Sequence, residues 1–203
     1  MDTATRNKWD KASTRYDLMV SNGAEKRWEP YKRKLYDNME GKVLFLALGT
    51  GLDISLFPAG LDITCIDISP KMLEQAAPRV AAYDGNMVAH CMDVHDMEFD
   101  EDSFDQIYTA CTFCSVPDPI NGLKALAKVL KPGGEIRMFE HTGSAIFPFS
   151  LMMNLMTPLS SRAGPDMNRK TVDNVRAAGF QILEVDNVFL DVVKMITAKR
   201  PAS

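Results

Sequence analysis

A doubly wound, mostly parallel α/β sheet is the fold class this sequence predicts, and three observations predict it. Short apolar runs alternate with segments of helical period. The run Val43–Leu48 is continuously apolar, as in a strand buried on both faces. Two apolar runs near the end flank Asp186-Asn187, which reads as the turn of an antiparallel hairpin closing the sheet.

The elements follow in order. Residues 1–40 mix aromatic, basic and acidic side chains and read as two helices forming an N-terminal lid, with the remaining domain at 41–203. Pro30 predicts an interruption in any helix there. Val43–Leu48 is the first strand and Leu61–Ile66 the second. Ser69-Pro70 starts a helix, Ser69 as cap and Pro70 at the first helical position. Met72, Leu73, Ala76, Ala77 and Val80 give it one apolar face, and Pro78 predicts a bend or an early end. Met87–Cys91 and Phe104–Thr109 are the third and fourth strands. Pro119–Lys131 is a helix stopped by Pro132-Gly133-Gly134, and Glu135–Glu140 is the fifth strand. Thr171–Ala178 is a helix ended by Gly179. Phe180–Val185 and Val188–Ala198 complete a seven-stranded sheet.

Composition limits the function. With 203 residues, one domain with one core is the simplest reading. A net charge of -4 and the lack of a basic domain argue against nucleic acid as a partner. Cys65, Cys91, Cys111 and Cys114 fall in apolar segments and read as reduced, buried thiols. Cys111-x-x-Cys114 lacks a second pair and a nearby histidine at ligand spacing, so no metal is expected. The polar start, "MDTATRNKWDK", and the lack of a long apolar run predict a cytoplasmic chain that does not span a membrane.

The chemistry starts at "VLFLALGTGLD". A strand runs into a glycine turn, and in parallel sheets ligands bind at the carboxyl ends of strands. A dinucleotide fingerprint needs a third glycine, but Ile54 stands there. Downstream acids add to the signal. Asp67 ends the second strand, where a carboxylate accepts from ribose hydroxyls. Asp93 follows the third, where it can face an adenine amino group, and Asp105 opens the fourth.

This ordered set, with "LAKVLKPGGEI" after it, resembles the class I S-adenosylmethionine-dependent methyltransferases from Trp9 to Lys199. "RYDLM" is similar to the N-terminal region of the ubiquinone/menaquinone C-methyltransferases. "GTGLDISLFPAGLDITCIDISPKMLEQA", "SVPDP" and "LKPGGEIRMFEH" look closer to bacterial phospholipid N-methyltransferases and to membrane-associated thiol methyltransferases. The resemblance implies a Rossmann-like fold and S-adenosylmethionine as cofactor. It implies Gly49, Thr50, Gly51, Asp67, Ile68, Met72, Asp93, Val94, Thr109 and Ala110 as the residues holding it. The family's first motif carries an acid and a third glycine where this chain has Phe45 and Ala47, which predicts a weakened grip on the cofactor's amino-acid end.

Methyl transfer needs alignment and dryness more than a fixed catalytic triad. His141, after the fifth strand, and Tyr16, in the N-terminal segment, are the candidate catalytic groups; a loop histidine and a helix-packing tyrosine are the plain alternatives. Thr112, Ser115 and Met152 join them as candidate substrate contacts. His95 and Asp96 are expected on the surface near adenine. "AIFPFSLMMNLMTPL", Ala145–Leu159, reads as an oily lid or as a core helix. "EKRWEPYKRKLY", with Arg27, Lys32, Arg33 and Lys34, reads as a contact for an anionic membrane or as a solvated helix face. The expected acceptor is small or lipid-like, with a phospholipid head-group amine first and a quinone carbon or a thiol as alternatives. A binding protein without catalysis is the other class. The expected state is a monomer or a homodimer.

Overall fold

The computed structural model describes residues 1–21, 24–160 and 166–202, and only the backbone of residues 19–21, 24, 25, 159 and 160. Six helices are described: α1 Thr3–Ser21, α2 Ala24–Tyr36, α3 Pro70–Ala81, α4 Pro119–Val129, α5 Phe149–Ser160 and α6 Thr171–Ala177. Seven strands form one sheet: β1 Lys42–Leu46, β2 Asp62–Asp67, β3 Asn86–Cys91, β4 Phe104–Ala110, β5 Leu130–His141, β6 Gln181–Phe189 and β7 Val193–Lys199. Their order is β3-β2-β1-β4-β5-β7-β6. The first five pair in parallel, and β7 runs antiparallel to both its neighbours.

The alternation of a strand's side chains explains why β1 is apolar throughout. Leu44 and Leu46 enter one core layer with Leu123, Leu126 and Val175, beneath α4 and α6. Val43 and Phe45 enter the other with Leu35, Tyr36 and Ala76, beneath α2 and α3. Each such side chain contributes about 1.5–3 kcal/mol by leaving water. Because α2 buries Leu35 and Tyr36 in this layer, residues before 40 share the core of the sheet. No helix among the described residues is long and apolar enough to cross a membrane.

Several expectations need correction. Neither internal proline ends its helix: α2 continues through Pro30 and α3 through Pro78. Each proline removes one backbone donor, but burial of Tyr36 in α2 and of Met72 and Ala76 in α3 holds the two helices. The helix expected to reach Lys131 stops at Val129, and Pro132-Gly133-Gly134 lies inside β5. Leu130 already pairs with Phe104, the register shifts, and pairing resumes at Glu135. Gly134 is required there: a Cβ would stand 2.8 Å from the Asp105 carbonyl oxygen. The closing hairpin does not turn at Asp186-Asn187. Those residues pair with Met195 and Lys194, and the chain reverses at Leu190, whose φ is 48°. Of the cysteines only Cys65 and Cys114 are buried; Cys91 and Cys111 are exposed. Lys32 is no surface cation: it is 4% exposed and its Nζ lies 2.9 Å from Asp53 Oδ1.

Candidate active site

The strand order reverses between β1 and β4, and a cavity open to solvent, with about 750 Å³ of empty space counting its mouth, lies there over the carboxyl ends of β1 to β4. The turn after β1 supplies Ala47 and Gly49. The loop after β2 supplies Asp67 and Ile68, with Met72 from α3. The loop after β3 supplies Asp93, Val94 and His95, and the loop after β4 supplies Cys111, Thr112 and Ser115. Helix α1 crosses the opening with Thr5, Trp9 and Tyr16.

The turn after β1 alternates left-handed residues: Ala47 at φ 58°, Gly49 at 60° and Gly51 at 80°. A Cβ on Gly49 would meet no protein atom within 4 Å, so the turn leaves room for a ligand to approach its backbone. Ala47 carries a Cβ in a conformation that costs an L-residue roughly 1–2 kcal/mol. Ala47→Gly is therefore expected to raise the melting temperature by about 2–4 °C, read by thermal unfolding. An unchanged or lower melting temperature would show that the surroundings already relieve the strain. Phe45 is 2% exposed and packs against Tyr36 and Phe57 at ring separations of 5.8 and 4.9 Å. It faces the core, so an acid there would be a buried, unpaired charge.

Asp67 is buried, and its oxygens accept from Gly49 N and Ser69 N, both at 2.8 Å. Burial pushes its pKa up, against the pull of those two bonds. Each oxygen keeps a lone pair for a hydroxyl. Asp93 accepts from Asp2 N at 2.7 Å and from His95 N at 3.0 Å. Partial burial would raise its pKa, but those bonds and the His95 ring outweigh it and hold it low. The His95 ring spans two acceptors, Asp93 Oδ1 and the Asp118 carbonyl oxygen, each 2.9 Å away. Only the protonated ring donates to both, so the two acceptors outweigh burial and raise its pKa. His95 is exposed, as expected, and it also lines the cavity and ties Asp93 to Asp118, the capping residue of α4.

Three points pin α1 over this edge. Asp2 caps the helix and meets Asp93 through its backbone N. Asp10 Oδ1 accepts from Ser69 Oγ at 2.6 Å. Asp17 accepts from Thr50 Oγ1 at 2.6 Å and from Arg79 at 2.7 Å, while Arg79 also reaches the Thr50 carbonyl.

On the other side, Trp9 and Tyr16 stand edge to face with centroids 6.3 Å apart. Cys111, at φ 53°, opens into the cavity but is otherwise walled by protein, and burial holds its thiol well above its usual value. Beneath this loop lies Glu140. It accepts from Thr109 Oγ1 at 2.7 Å and from the backbone N of Thr112 and Phe113 at 3.1 Å. It is fully buried, and burial pushes its pKa up to about 7 despite those bonds.

Of the residues singled out from sequence, Gly49, Asp67, Ile68, Met72, Asp93, Val94, Ala110, Tyr16, Thr112 and Ser115 line the one cavity. Five others lie elsewhere. Thr50 and Thr109 are buried, with hydroxyls turned to Asp17 and Glu140; Gly51 packs against Ile54 and Ala76. His141 is set beside the cavity, on the sheet face opposite Glu140, and its buried Nδ1 has no partner among the described residues. Met152 is half exposed on α5. Sequence reading missed Thr5 and Trp9. Their spacing to Tyr16, four and then seven residues, places all three on one face of a helix and is the signal that finds them.

Residues 43–134 match the model of a methyltransferase domain. The chain is 34% identical, over 65% of its length, to a ubiquinone/menaquinone biosynthesis C-methyltransferase of Geotalea daltonii, and spans 60% of that protein. It is 30% identical to a phosphatidylethanolamine N-methyltransferase of Cereibacter sphaeroides, over about half of each chain: 50% of this one and 51% of that one. In fold it is similar to an S-adenosylmethionine-dependent methyltransferase of Thermotoga maritima, described as a possible histamine N-methyltransferase. The TM-score is 0.70 at 15% identity, covering 97% of this chain and 99% of that one.

Proposed function

We propose that this chain, which carries a class I S-adenosylmethionine-dependent methyltransferase domain, moves the methyl group of S-adenosylmethionine to an acceptor with an apolar tail. The first acceptor is the head-group amine of phosphatidylethanolamine. The cofactor, when bound, supplies an electrophilic methyl on a sulfonium. In this reading Asp67 accepts from the ribose hydroxyls, Asp93 with His95 meets the adenine edge, and the backbone at Gly49 admits the amino-acid end. Tyr16, Thr112 and Ser115 orient the acceptor, and α1 keeps water away from the transfer. His141 does not line this cavity, so this reading assigns it no contact with the transferred methyl.

The observation that carries the acceptor class is α5. From Thr142 to Ser160 no residue is charged, and the helix turns most of its apolar side chains outward. Such a surface suits a substrate that keeps its tails in an apolar phase. The Trp9–Tyr16 pair favours an amine among tailed acceptors, since aromatic faces stabilise the positive charge that builds on nitrogen. A quinone ring is the second reading, favoured by the similarity to the quinone C-methyltransferase.

The test is release of S-adenosylhomocysteine with three acceptors offered separately: phosphatidylethanolamine vesicles, a hydroquinone lacking its ring methyl, and a small alkyl thiol. Turnover fastest on the vesicles is expected. Turnover on the hydroquinone alone moves the assignment to the second reading, and turnover on the thiol alone ends both.

A further inference from the structure

We propose that α5, the β6–β7 turn and the exposed edge of α2 form one docking face for an anionic bilayer; the proposal deepens the reading of a tailed acceptor and rests on it. An ordinary surface helix turns its apolar stripe inward. Among the described side chains of α5 only Met153, 5% exposed, is buried, while Phe147 at 77%, Leu151 at 51% and Leu155 at 73% face outward. The helix is nonetheless held in place. Asp191, in the β6–β7 turn, accepts from Ser144 Oγ at 2.6 Å and from Ala145 N at 2.7 Å, just before α5 begins.

That turn links the oily helix to the cations. It exposes Leu190 at 54% and Phe189 at 38%. The Arg27 guanidinium lies 4.2 Å from the Phe189 ring centre and 4.7 Å from that of Trp28. The face therefore runs by direct contact from an uncharged helix, through exposed apolar residues, to an aromatic–cation cluster with exposed Lys26 beside it. Apolar side chains flanked by aromatic rings and cations match the layering of a lipid interface, where tails give way to head groups and then to anionic charge. An isologous dimer through the same face would set these cations against their own copies. The acidic balance of the whole chain, -4, also makes a basic edge the side to turn toward anionic lipid. Helix α5 leaves the carboxyl end of β5, the edge of the sheet on which the cavity opens, so a docked protein faces its cavity toward the head groups.

The experiment is sedimentation of the full chain with phosphatidylcholine vesicles, with and without phosphatidylglycerol, at low and high salt. Binding to the anionic vesicles, weakened by salt, is expected. Leu151→Asp with Leu155→Asp is expected to lower the bound fraction about tenfold or more, and Arg27→Glu to lower it about tenfold at low salt. Calorimetric binding of S-adenosylhomocysteine should stay unchanged in both variants, which separates lost docking from lost folding. A wild-type chain that ignores vesicles, or variants that bind as well as it does, overturns the proposal. So does concentration-dependent self-association that the same substitutions abolish, since it assigns the face to a second copy. Vesicle binding without methyl transfer to phosphatidylethanolamine supports the docking face and removes the amine acceptor. Turnover of phosphatidylethanolamine presented in detergent, with no vesicle binding, does the reverse.

Discussion

Asp67→Ala is expected to weaken binding of S-adenosylmethionine and of its demethylated product by one to two orders of magnitude, about 1.5–3 kcal/mol. Two losses combine. In the proposed reading the ribose hydroxyls lose a charged acceptor inside a buried pocket, and hydrogen bonds to charged groups are the stronger kind. The carboxylate also holds the backbone N of Gly49 and Ser69, so its removal loosens the glycine turn and the start of α3 together. Asp67→Asn separates the two: it keeps the shape but turns an amide N–H toward one of the donors. Burial holds the Asp67 pKa up, and donors on a ligand favour the carboxylate, so affinity should fall as the solution is acidified. Isothermal titration, with circular dichroism to verify folding, gives the answer. A folded Asp67→Ala chain with an unchanged Kd would remove Asp67 from the cofactor site.

Glu140→Ala should cost about 3–5 kcal/mol of stability and lower the melting temperature by roughly 10 °C or more. The substitution leaves the hydroxyl of Thr109 and the backbone N of Thr112 and Phe113 without their acceptor in a dry core. Glu140→Gln keeps the volume and most of the acceptor capacity, so it should recover much of the loss. The two chains also differ in how pH acts. The folded pKa of Glu140, about 7, lies above its ordinary 4.5, so folding favours the protonated form. Its contribution is present below about 4.5 and is lost as pH rises through about 7. Wild type should therefore lose more stability between pH 5 and pH 8 than Glu140→Gln, measured by urea unfolding at both values. Equal losses in the two chains would show that Glu140 does not titrate in that window.

The parts of the fold legible in the sequence are those where local chemistry and burial agree. Ser69-Pro70 starts α3 as read, with Ser69 Oγ accepting from Met72 N, because cap and apolar face call for the same helix. Misreadings arise where long-range pairing overrides a local signal. Asp186-Asn187 has the composition of a turn, yet each side chain fits an edge strand, and Asn187 accepts from Lys194 Nζ across the ladder. Pro132-Gly133-Gly134 looks like a helix stop, but β4 recruits Leu130 into the sheet before it. At the site, Asp67 and Asp93 could be found because they follow strands, whose ends topology places together. His141 also ends a strand, yet the cavity opens over the ends of β1 to β4 and not of β5, so neither it nor Glu140 lines the cavity. Nothing local in the sequence pairs Lys32 and Tyr36 with Asp53; that contact exists only once α2 packs against the turn after β1.

The pins on α1 have a kinetic meaning. In the reading proposed here, a cofactor sits against this helix, which Asp10 and Asp17 hold in place as one wall of its cavity. Its residence time then depends on the helix as well as on the ligand's own bonds. The Asp17–Arg79 pair is about 40% and 38% exposed, so it contributes no more than about 1 kcal/mol. Such a contact is a latch rather than a lock, weak and screened by salt. Trp9 and Tyr16 ride on the same helix, so in the proposed reading any shift of α1 would touch the cofactor side and the acceptor side of the cavity at once.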